Sequence, residues 1–366
     1  SSPIVLGDRV FITCYSGYGV DEDNPGDPSQ LKRHLLCVSA STGRVLWDQS
    51  VVGVLPEVPF KGRILEHGYA SHTPATDGQH VYAFFGKNGV LAYDLEGRQI
   101  WQQSVGTNSD RLKWGSASSV TLYKDLVLVN AYDESKTLYA LSKQTGKPAW
   151  QQDLAGPGLS FATPVLGHLP DARTELIMAL PTEVWGLNPD TGKKRWWIKT
   201  TMKGIVTGTP LIHQGRAYVH GGGPGGLSSL AVHLGGSGDV TKTHVRWSGG
   251  AAASVPSPTP CNGLLFWVTN DGKACCQDPH TGKLKYSQAL PVRGRFAVYA
   301  SVLSTSNRLY AVTRQQGCFV LAAQPEFEIL AHNQLKTDNS DFNGSPAVSN
   351  GRLFLRSNRY LYCIGP

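Results

Sequence analysis

Basic side chains recur at one position of a repeated sequence unit, and this position is the strongest candidate for a ligand-binding site in the sequence. It lies seven residues before the second residue of a Ser/Thr-Pro or Ser-Val dipeptide, and it is occupied in four units by His67, Lys113, Lys203 and Arg295. If the units form a ring, the loops that carry these residues face one axis and the charges converge. The aromatic and polar candidates nearby are Tyr69, His72, Trp114, Tyr299, Asp341 and Asn343.

This set suits a carboxylated or sulfated ligand, because Arg and Lys bind such groups through charge-assisted hydrogen bonds. The alternative is a group of solvated loop charges on a protein whose formal net charge is +7. A third interpretation gives His67, Tyr69 and Arg295 a general acid–base role on an acidic glycan, as in a lyase or hydrolase. His67 and His72 form no HxH or HExxH pair, so we expect no metal site.

The repeated unit that positions these residues begins at the same dipeptide along the whole chain. The dipeptides end at positions 3, 74, 120, 164, 210, 258, 302 and 346, and in most units an aromatic or large apolar residue follows eight positions later. The first interval is longer, which predicts two loop insertions, at about residues 17–34 and 53–66.

A second pattern places a glycine four residues before an aromatic residue. It occurs as Gly43–Trp47, Gly97–Trp101, Gly146–Trp150, Gly192–Trp196 and Gly282–Tyr286. Glycine in a turn flanked by apolar alternation indicates a hairpin. Each unit therefore contains four strands, and four-stranded units with a period near 45 residues are typical of propeller blades. We expect the tryptophans to dock between neighbouring blades, where large aromatic side chains bury most apolar surface.

The sequence thus predicts an all-β, eight-bladed β-propeller of four-stranded antiparallel blades, in a single domain over residues 1–366. The eighth unit stops after its third strand, so we expect the last blade to be incomplete in this chain. We also expect residues upstream of Ser1 to supply its fourth strand, because exposed sheet edges are usually avoided.

Residues 138–150 and 184–196 resemble the tryptophan-docking repeat of PQQ-type, quinoprotein-like propellers. The resemblance is closest to BamB-like single-propeller proteins of the bacterial cell envelope. It implies a non-catalytic, monomeric binding or scaffolding propeller in the periplasm. The implied partner is an envelope protein, or an anionic small molecule or glycan. It would bind at the funnel face, where the loops that enter the innermost strands open onto the central axis. We expect no nucleic-acid partner, because no Lys/Arg run is present, and no membrane span, because no apolar run approaches about 18 residues.

The same resemblance raises an alternative, a PQQ-dependent oxidoreductase. PQQ carries three carboxylates, which would suit the basic positions. Dehydrogenases of that family also use a vicinal disulfide, a Ca²⁺ site of Glu, Asn and Asp, and an Asp base. Here Cys275 and Cys276 fall in the predicted third strand of a blade, where we expect packed thiols, and no matching carboxylate set occurs. We therefore expect no cofactor, with PQQ and Ca²⁺ as the alternative.

Overall fold

The computed structural model describes residues 1–154, 156, 158–223 and 226–365. Its antiparallel sheets are the blades of an eight-bladed β-propeller, as the repeat predicts. By their internal contacts the residues divide into two compact units, Ser1–Pro164 and Val165–Pro366. The single-domain organisation over residues 1–366 stays a prediction. No helix in the described ranges is long and apolar enough to cross a membrane.

The first unit contains blades 1 to 3, each with four strands in sequence order. Blade 1 has β1 (Ile4–Leu6), β2 (Arg9–Ser16), β3 (Lys32–Ser39) and β4 (Val45–Val52). Blade 2 has β5 (Ala75–Thr76), β6 (His80–Phe84), β7 (Val90–Asp94) and β8 (Gln99–Gln103). Blade 3 has β9 (Val120–Tyr123), β10 (Leu126–Ala131), β11 (Thr137–Ser142) and β12 (Pro148–Asp153), and β13 (Leu159–Ser160) follows.

The first unit also carries both predicted insertions and two short helices. The first insertion begins after Ser16 and is shorter than expected, because residues 32–34 already belong to β3. The second ends in α1 (Ile64–His67), and α2 (Tyr132–Ser135) lies between β10 and β11. Short 3₁₀ turns occupy Pro28–Gln30 and Gly86–Asn88.

The second unit contains blades 4 to 8. Blade 4 has β14 (Val165–His168), β15 (Thr174–Leu180), β16 (Glu183–Leu187) and β17 (Lys194–Lys199), and β18 (Ile205–Val206) follows. Blade 5 has β19 (Leu211–His213), β20 (Arg216–Gly221), β21 (Ser228–His233) and β23 (Val245–Gly249), with β22 (Gly238–Asp239) and α3 (Thr241–His244) inserted before β23. Blade 6 has β24 (Thr259–Cys261), β25 (Leu264–Val268), β26 (Lys273–Gln277) and β27 (Leu284–Ala289).

Blade 7 has β28 (Leu303–Thr305), β29 (Arg308–Val312), β30 (Cys318–Ala322) and β31 (Ile329–Asn333). Blade 8 has only β32 (Ala347–Ser349), β33 (Arg352–Arg356) and β34 (Leu361–Ile364) among the described residues, which confirms the expected three-stranded sheet. Blade 4 differs from the prediction, because β22 pairs in parallel with β17 and makes its sheet five-stranded.

The recurring Ser/Thr residue has a structural reason. In the first unit the hydroxyl oxygens of Thr73 and Ser119 accept the backbone N–H groups of Ser2 and Thr73, at 3.1 and 2.9 Å. In the second unit Ser257 and Ser301 do the same for Thr209 and Ser257, both at 2.9 Å. These Ser and Thr residues, which we call the anchors, therefore join the innermost strands of successive blades within each unit.

The tryptophan docks are confirmed at three blades. Trp101 donates its indole N–H to the carbonyl of Lys143 in the next blade at 2.7 Å, and a Cβ built on Gly146 would lie 2.6 Å from the ring. Only glycine lets the indole approach so closely. Trp47 and Trp247 dock in the same way, onto the turns that contain Gly97 and Gly282.

Trp196 departs from this pattern. It is fully buried against Gly186 of its own blade and donates to the carboxylate of Glu175 at 2.8 Å. The segment between β21 and β23 of blade 5, which contains β22, covers the Trp196 side chain. The backbone N–H of Gly235 in this segment also donates to the Glu175 carboxylate, at 3.0 Å. Docking between neighbouring blades is thus replaced at this position by a buried contact within one blade.

Candidate functional site

The predicted site residues of the first unit lie around the loops that enter blades 2 and 3. His67 ends α1, is half-buried, and shares hydrogen bonds with the Ser71 hydroxyl at 2.9 Å and the Trp114 carbonyl at 2.8 Å. Desolvation lowers the pKa of His67. His67 therefore connects the loop that enters blade 2 to the loop that enters blade 3. Lys113, which precedes Trp114, is exposed.

Tyr69 and Trp114 are held by neighbouring groups. The buried Tyr69 hydroxyl donates to the carbonyl of Val58 at 2.6 Å, and burial raises its pKa above the ordinary range. The half-buried Trp114 ring stacks on Phe161 with centroids 6.4 Å apart, and the guanidinium of Arg63 lies 5.1 Å from its centroid. The Tyr69 hydroxyl bonds the second insertion, while the Trp114 side chain is only half-buried.

His72 is 2% exposed and lies deeper than its neighbours. Its Nε2 hydrogen-bonds the hydroxyl of Ser116 at 3.0 Å, and its ring packs against that of Phe84 with centroids 4.8 Å apart and planes 66° apart. Burial, followed by the positive charge of Arg33, holds the pKa of His72 well below its usual range. A neutral imidazole at this position acts as a fixed hydrogen-bonding group.

A buried charge network, which the sequence patterns did not reveal, lies beside these residues. Arg33 of β3 donates to the carbonyl of Tyr69 at 3.0 Å and to Oδ1 of Asn88 at 2.8 Å, and it pairs with Glu57 of the second insertion. The two paired side chains are 5% and 4% exposed. Lys87, also buried, donates to the carbonyl of Pro56. Two cations from blades 1 and 2 thus hold the second insertion in place.

Two consecutive carboxylates of α2 complete the network. Asp133 is buried and accepts the backbone N–H of Asp110 at 2.7 Å. Glu134 is fully buried, and neither of its carboxylate oxygens has a hydrogen-bond partner among the described residues. Desolvation raises the pKa of Glu134 to about 7, with the nearby Ser116 hydroxyl opposing the shift. Desolvation and the neighbouring Glu134 charge also raise the pKa of Asp133.

The space between these groups is small. The cavity has a volume of about 10 Å³ and is lined, among others, by Arg33, Glu57, His72, Ser116 and Glu134. Such a volume holds about one water molecule, whereas pockets for small-molecule ligands are roughly 300 Å³ or larger. This cavity therefore does not fit PQQ.

In the second unit the predicted residues form a looser group. Lys203 and Arg295 are exposed, and the Arg295 guanidinium lies 5.4 Å from the ring of Phe296. The structure brings Tyr299 and Asp341 together through Arg314, which pairs with Asp341 and lies 4.9 Å from the Tyr299 ring. Asn343 is half-buried two residues beyond Asp341.

The sequence also predicted packed thiols at Cys275 and Cys276 and no metal site. Cys275 and Cys276 lie buried in β26, the third strand of blade 6, as free thiols, which confirms the expected packing role. Burial raises the pKa of Cys276 to about 12, so this thiol stays protonated at neutral pH. Among the described residues no three His, Cys, Asp or Glu side chains are grouped so that they could hold a metal ion.

The residues of the buried charge network were not identified from the sequence, where only weak patterns indicate them. Arg33 and Glu57 fall within or beside the two insertions, and Asp133-Glu134 is a carboxylate pair directly after an apolar strand. The two insertions before the second blade depart from the repeat and so indicate a region with a function of its own. Their composition, however, does not predict that Arg33 pairs with Glu57. Only the fold brings these side chains together.

Comparison with known proteins agrees with this architecture. The curated outer membrane protein assembly factor BamB of Yersinia pestis is 24% identical over 300 residues, which cover 78% of this chain and 71% of that protein. The crystal structure of BamB from Moraxella catarrhalis matches 98% of this chain and 94% of its own, with 13% identity and a TM-score of 0.65. A europium-containing methanol dehydrogenase matches 97% of this chain and 81% of its own, with 10% identity and a TM-score of 0.65.

The two solved structures show the shared propeller fold alone, because both are distant in sequence. The family model described as outer membrane protein assembly factor BamB matches residues 28–160 and 134–366, which together cover most of the chain. The chain therefore belongs to the BamB family of outer membrane protein assembly factors.

Proposed function

We propose that this chain is a monomeric binding and scaffolding propeller that acts in outer-membrane protein assembly from the periplasmic side. The observation that carries the proposal is the match of the assembly-factor family over residues 28–160 and 134–366. The candidate site supports it, because Tyr69, His72 and Arg33 already bond protein groups and enclose a cavity of about 10 Å³. Rigid loops that present a surface suit protein binding better than turnover of a small substrate.

The exposed basic residues are the proposed contacts to acidic segments of an envelope protein, with Lys113 acting in the first unit and Lys203 and Arg295 in the second. The half-buried Trp114 beside Arg63 adds an aromatic anchor, and Trp and Arg are enriched among residues that dominate interface energies. An anionic small molecule or an acidic glycan would use the same charges and is the competing ligand at these loops.

The test is deletion of the gene in its own host, followed by measurement of folded outer-membrane proteins. We expect their amount to fall and the intact gene to restore it. A Lys113→Glu, Arg295→Glu double variant should restore it poorly, because reversed charges repel an acidic partner. Lys147→Glu, which changes an exposed lysine on the turn before β12, is the matched control. Unchanged outer-membrane proteins after deletion would reject the proposal.

The quinoprotein alternative has its own measurement, a calorimetric titration with PQQ in the presence and absence of Ca²⁺. Saturable micromolar binding that disappears in Lys203→Ala or Arg295→Ala would replace the scaffolding proposal with an oxidoreductase. No heat under either condition leaves the similarity to quinoproteins as a statement about fold.

A further inference from the structure

Blade 1 holds a second arrangement of reactive side chains, on its outer strands and apart from the cavity. Ser16 ends β2, His34 lies in β3 and Asp48 lies in β4. The Ser16 hydroxyl is 2.8 Å from Nε2 of His34, and Nδ1 of His34 is 2.8 Å from a carboxylate oxygen of Asp48. We propose that Ser16, His34 and Asp48 form a serine-hydrolase triad that cleaves short-chain carboxylic esters.

The hydrogen bonds fix the role of each group. A carboxylate only accepts, so Nδ1 of the neutral imidazole carries the proton directed at Asp48. Nε2 then accepts from the Ser16 hydroxyl, as a general base must. Asp48 is a positioning residue that holds this tautomer, and the order nucleophile, base and orienting carboxylate defines a triad by geometry rather than by fold.

The sheet register makes this arrangement rigid. His34 pairs directly with Cys14 of β2 and with Ser50 of β4, so Ser16 and Asp48 occupy diagonal positions on the same face. Side chains that alternate along a strand keep such positions without loop motion. The His34 side chain is 15% exposed and that of Asp48 45%, so the imidazole is sheltered but still reachable from solvent.

The turn after Ser16 offers a donor for the oxyanion. Gly17 has a φ of +82°, and its backbone N–H bonds no acceptor among the described residues. A Cβ there would lie 2.0 Å from the carbonyl oxygen of Gln30, so the turn requires glycine. The amide that follows a nucleophilic serine often supplies oxyanion stabilisation. One such donor suits an ester with a good leaving group better than an amide.

The surroundings restrict the acyl group. Val52, which is 59% exposed, pairs with Lys32, and Lys32 pairs with Ser16, so an apolar side chain lies two strands away on the same face. This open surface gives a short acyl chain some contact but does not enclose a long one.

The reaction balances without a cofactor. Ser16 Oγ bonds the ester carbonyl carbon while its proton moves to Nε2 of His34, and the alcohol leaves with that proton. Water then attacks the acyl group, gives a proton to His34 and releases the acid, and the proton returns to Ser16. The net change is ester plus water to acid plus alcohol.

The test uses a fluorophosphonate probe on the purified full chain, with the labelled residue located by peptide mass spectrometry. The probe traps an activated serine by forming an O–P bond and expelling fluoride. We expect labelling on Ser16, none there in Ser16→Ala, and a rate about 100-fold lower in His34→Gln. Hydrolysis of p-nitrophenyl acetate should fall in the same variants.

Asp48→Asn should slow labelling about two- to fivefold, because an exposed ion pair contributes little. It should also move the midpoint of the pH–rate profile to lower pH, which a merely structural role would not do. Ser50→Ala changes the exposed neighbour opposite His34 and should leave the rate unaltered, and Cys14→Ser should retain labelling. Absence of label on Ser16, or equal rates in wild type and Asp48→Asn with identical pH profiles, overturns the proposal.

Discussion

Apolar side chains join neighbouring blades in both units, but in the first unit a set of buried charges also lies at the ends of the blades. In the second unit, blades 6 and 7 meet through apolar side chains, among them Phe266, Leu309, Phe319 and Leu321, all nearly inaccessible to solvent. We call these contacts the apolar interface. In the first unit, the ends of blades 1 to 3 enclose Arg33, Glu57, Lys87, Asp133 and Glu134, which we call the charged interface.

The difference indicates what each interface is for. Apolar burial stabilises by about 25 cal/mol per Å² and needs no particular partner. Buried charges lose their hydration, and their attraction seldom returns more than that loss. The charged interface is therefore a poor source of stability, but it fixes Glu57 and Pro56 of the second insertion against blades 1 and 2. Its role is to position the loops that carry the proposed binding residues.

The largest predicted effect tests this role directly. Arg33→Met leaves the Glu57 carboxylate buried without its partner, and removing one member of a buried pair costs about 3–5 kcal/mol. We expect the free energy of unfolding, measured by urea denaturation, to fall by that amount.

The double variant Arg33→Met, Glu57→Leu is the matched control. Because no charge is then left unpaired, it should recover most of the loss in stability. It should still restore folded outer-membrane proteins poorly in the host, since the second insertion has lost its Arg33–Glu57 contact and keeps only the Lys87 and Tyr69 hydrogen bonds. A double variant that complements fully would contradict the positioning role of the charged interface.

At the apolar interface the predicted effect is a cavity. Leu321→Ala removes buried methyl groups from a side chain that is 2% exposed and should cost about 2–4 kcal/mol. Since no titratable group is involved, the loss should be the same at pH 5 and pH 8. A loss that changes with pH would show that this interface is coupled to buried charges.

The pH dependence should instead come from Glu134. Its pKa is raised to about 7 in the folded protein, above the ordinary glutamate value of 4.5, so the folded state binds more protons between these values. Stability from this group is therefore present at low pH and declines as pH rises to about 7. Glu134→Gln removes the ionisation and should be more stable than wild type by roughly 3 kcal/mol at pH 8.

The comparison of the two proteins at pH 5 supplies the control. Wild-type Glu134 is then protonated in the folded state, and the difference between the two free energies of unfolding should fall below about 1 kcal/mol. A constant difference at both pH values would mean that the substitution acts through packing rather than charge.

Most of the fold could be predicted from the sequence, because the repeat records its own contacts. The Ser/Thr anchors appear at a regular spacing because each bonds its counterpart in an adjacent blade. The Gly–Trp pattern recurs for a similar reason, since Gly146, four residues before Trp150, lies directly under Trp101 of the preceding blade. Trp196 could not be predicted, because its burial depends on β22, an excursion from another blade with no counterpart in the repeat.

The candidate site was less predictable, because its key contacts join segments far apart in the chain. His67, Tyr69 and His72 were found from their place before an anchor, and the structure holds them near the charged interface. Arg33, Glu57 and Glu134 lie up to about a hundred residues apart and follow no repeat position. Their pairing depends on how the insertions fold back, which no local pattern encodes.

The smallest predicted effect compares the same hydrogen bond in both units. Ser119→Ala removes the acceptor of the Thr73 N–H, and Ser301→Ala removes that of the Ser257 N–H, each a bond of 2.9 Å. A lost hydrogen bond of this kind costs about 1 kcal/mol, so urea denaturation should show similar losses for both. Equal losses would mean that the anchor hydrogen bonds are equivalent in the two units and do not depend on the charged interface. A much larger loss for Ser119→Ala would show that the charged interface depends on the anchor bonds beside it.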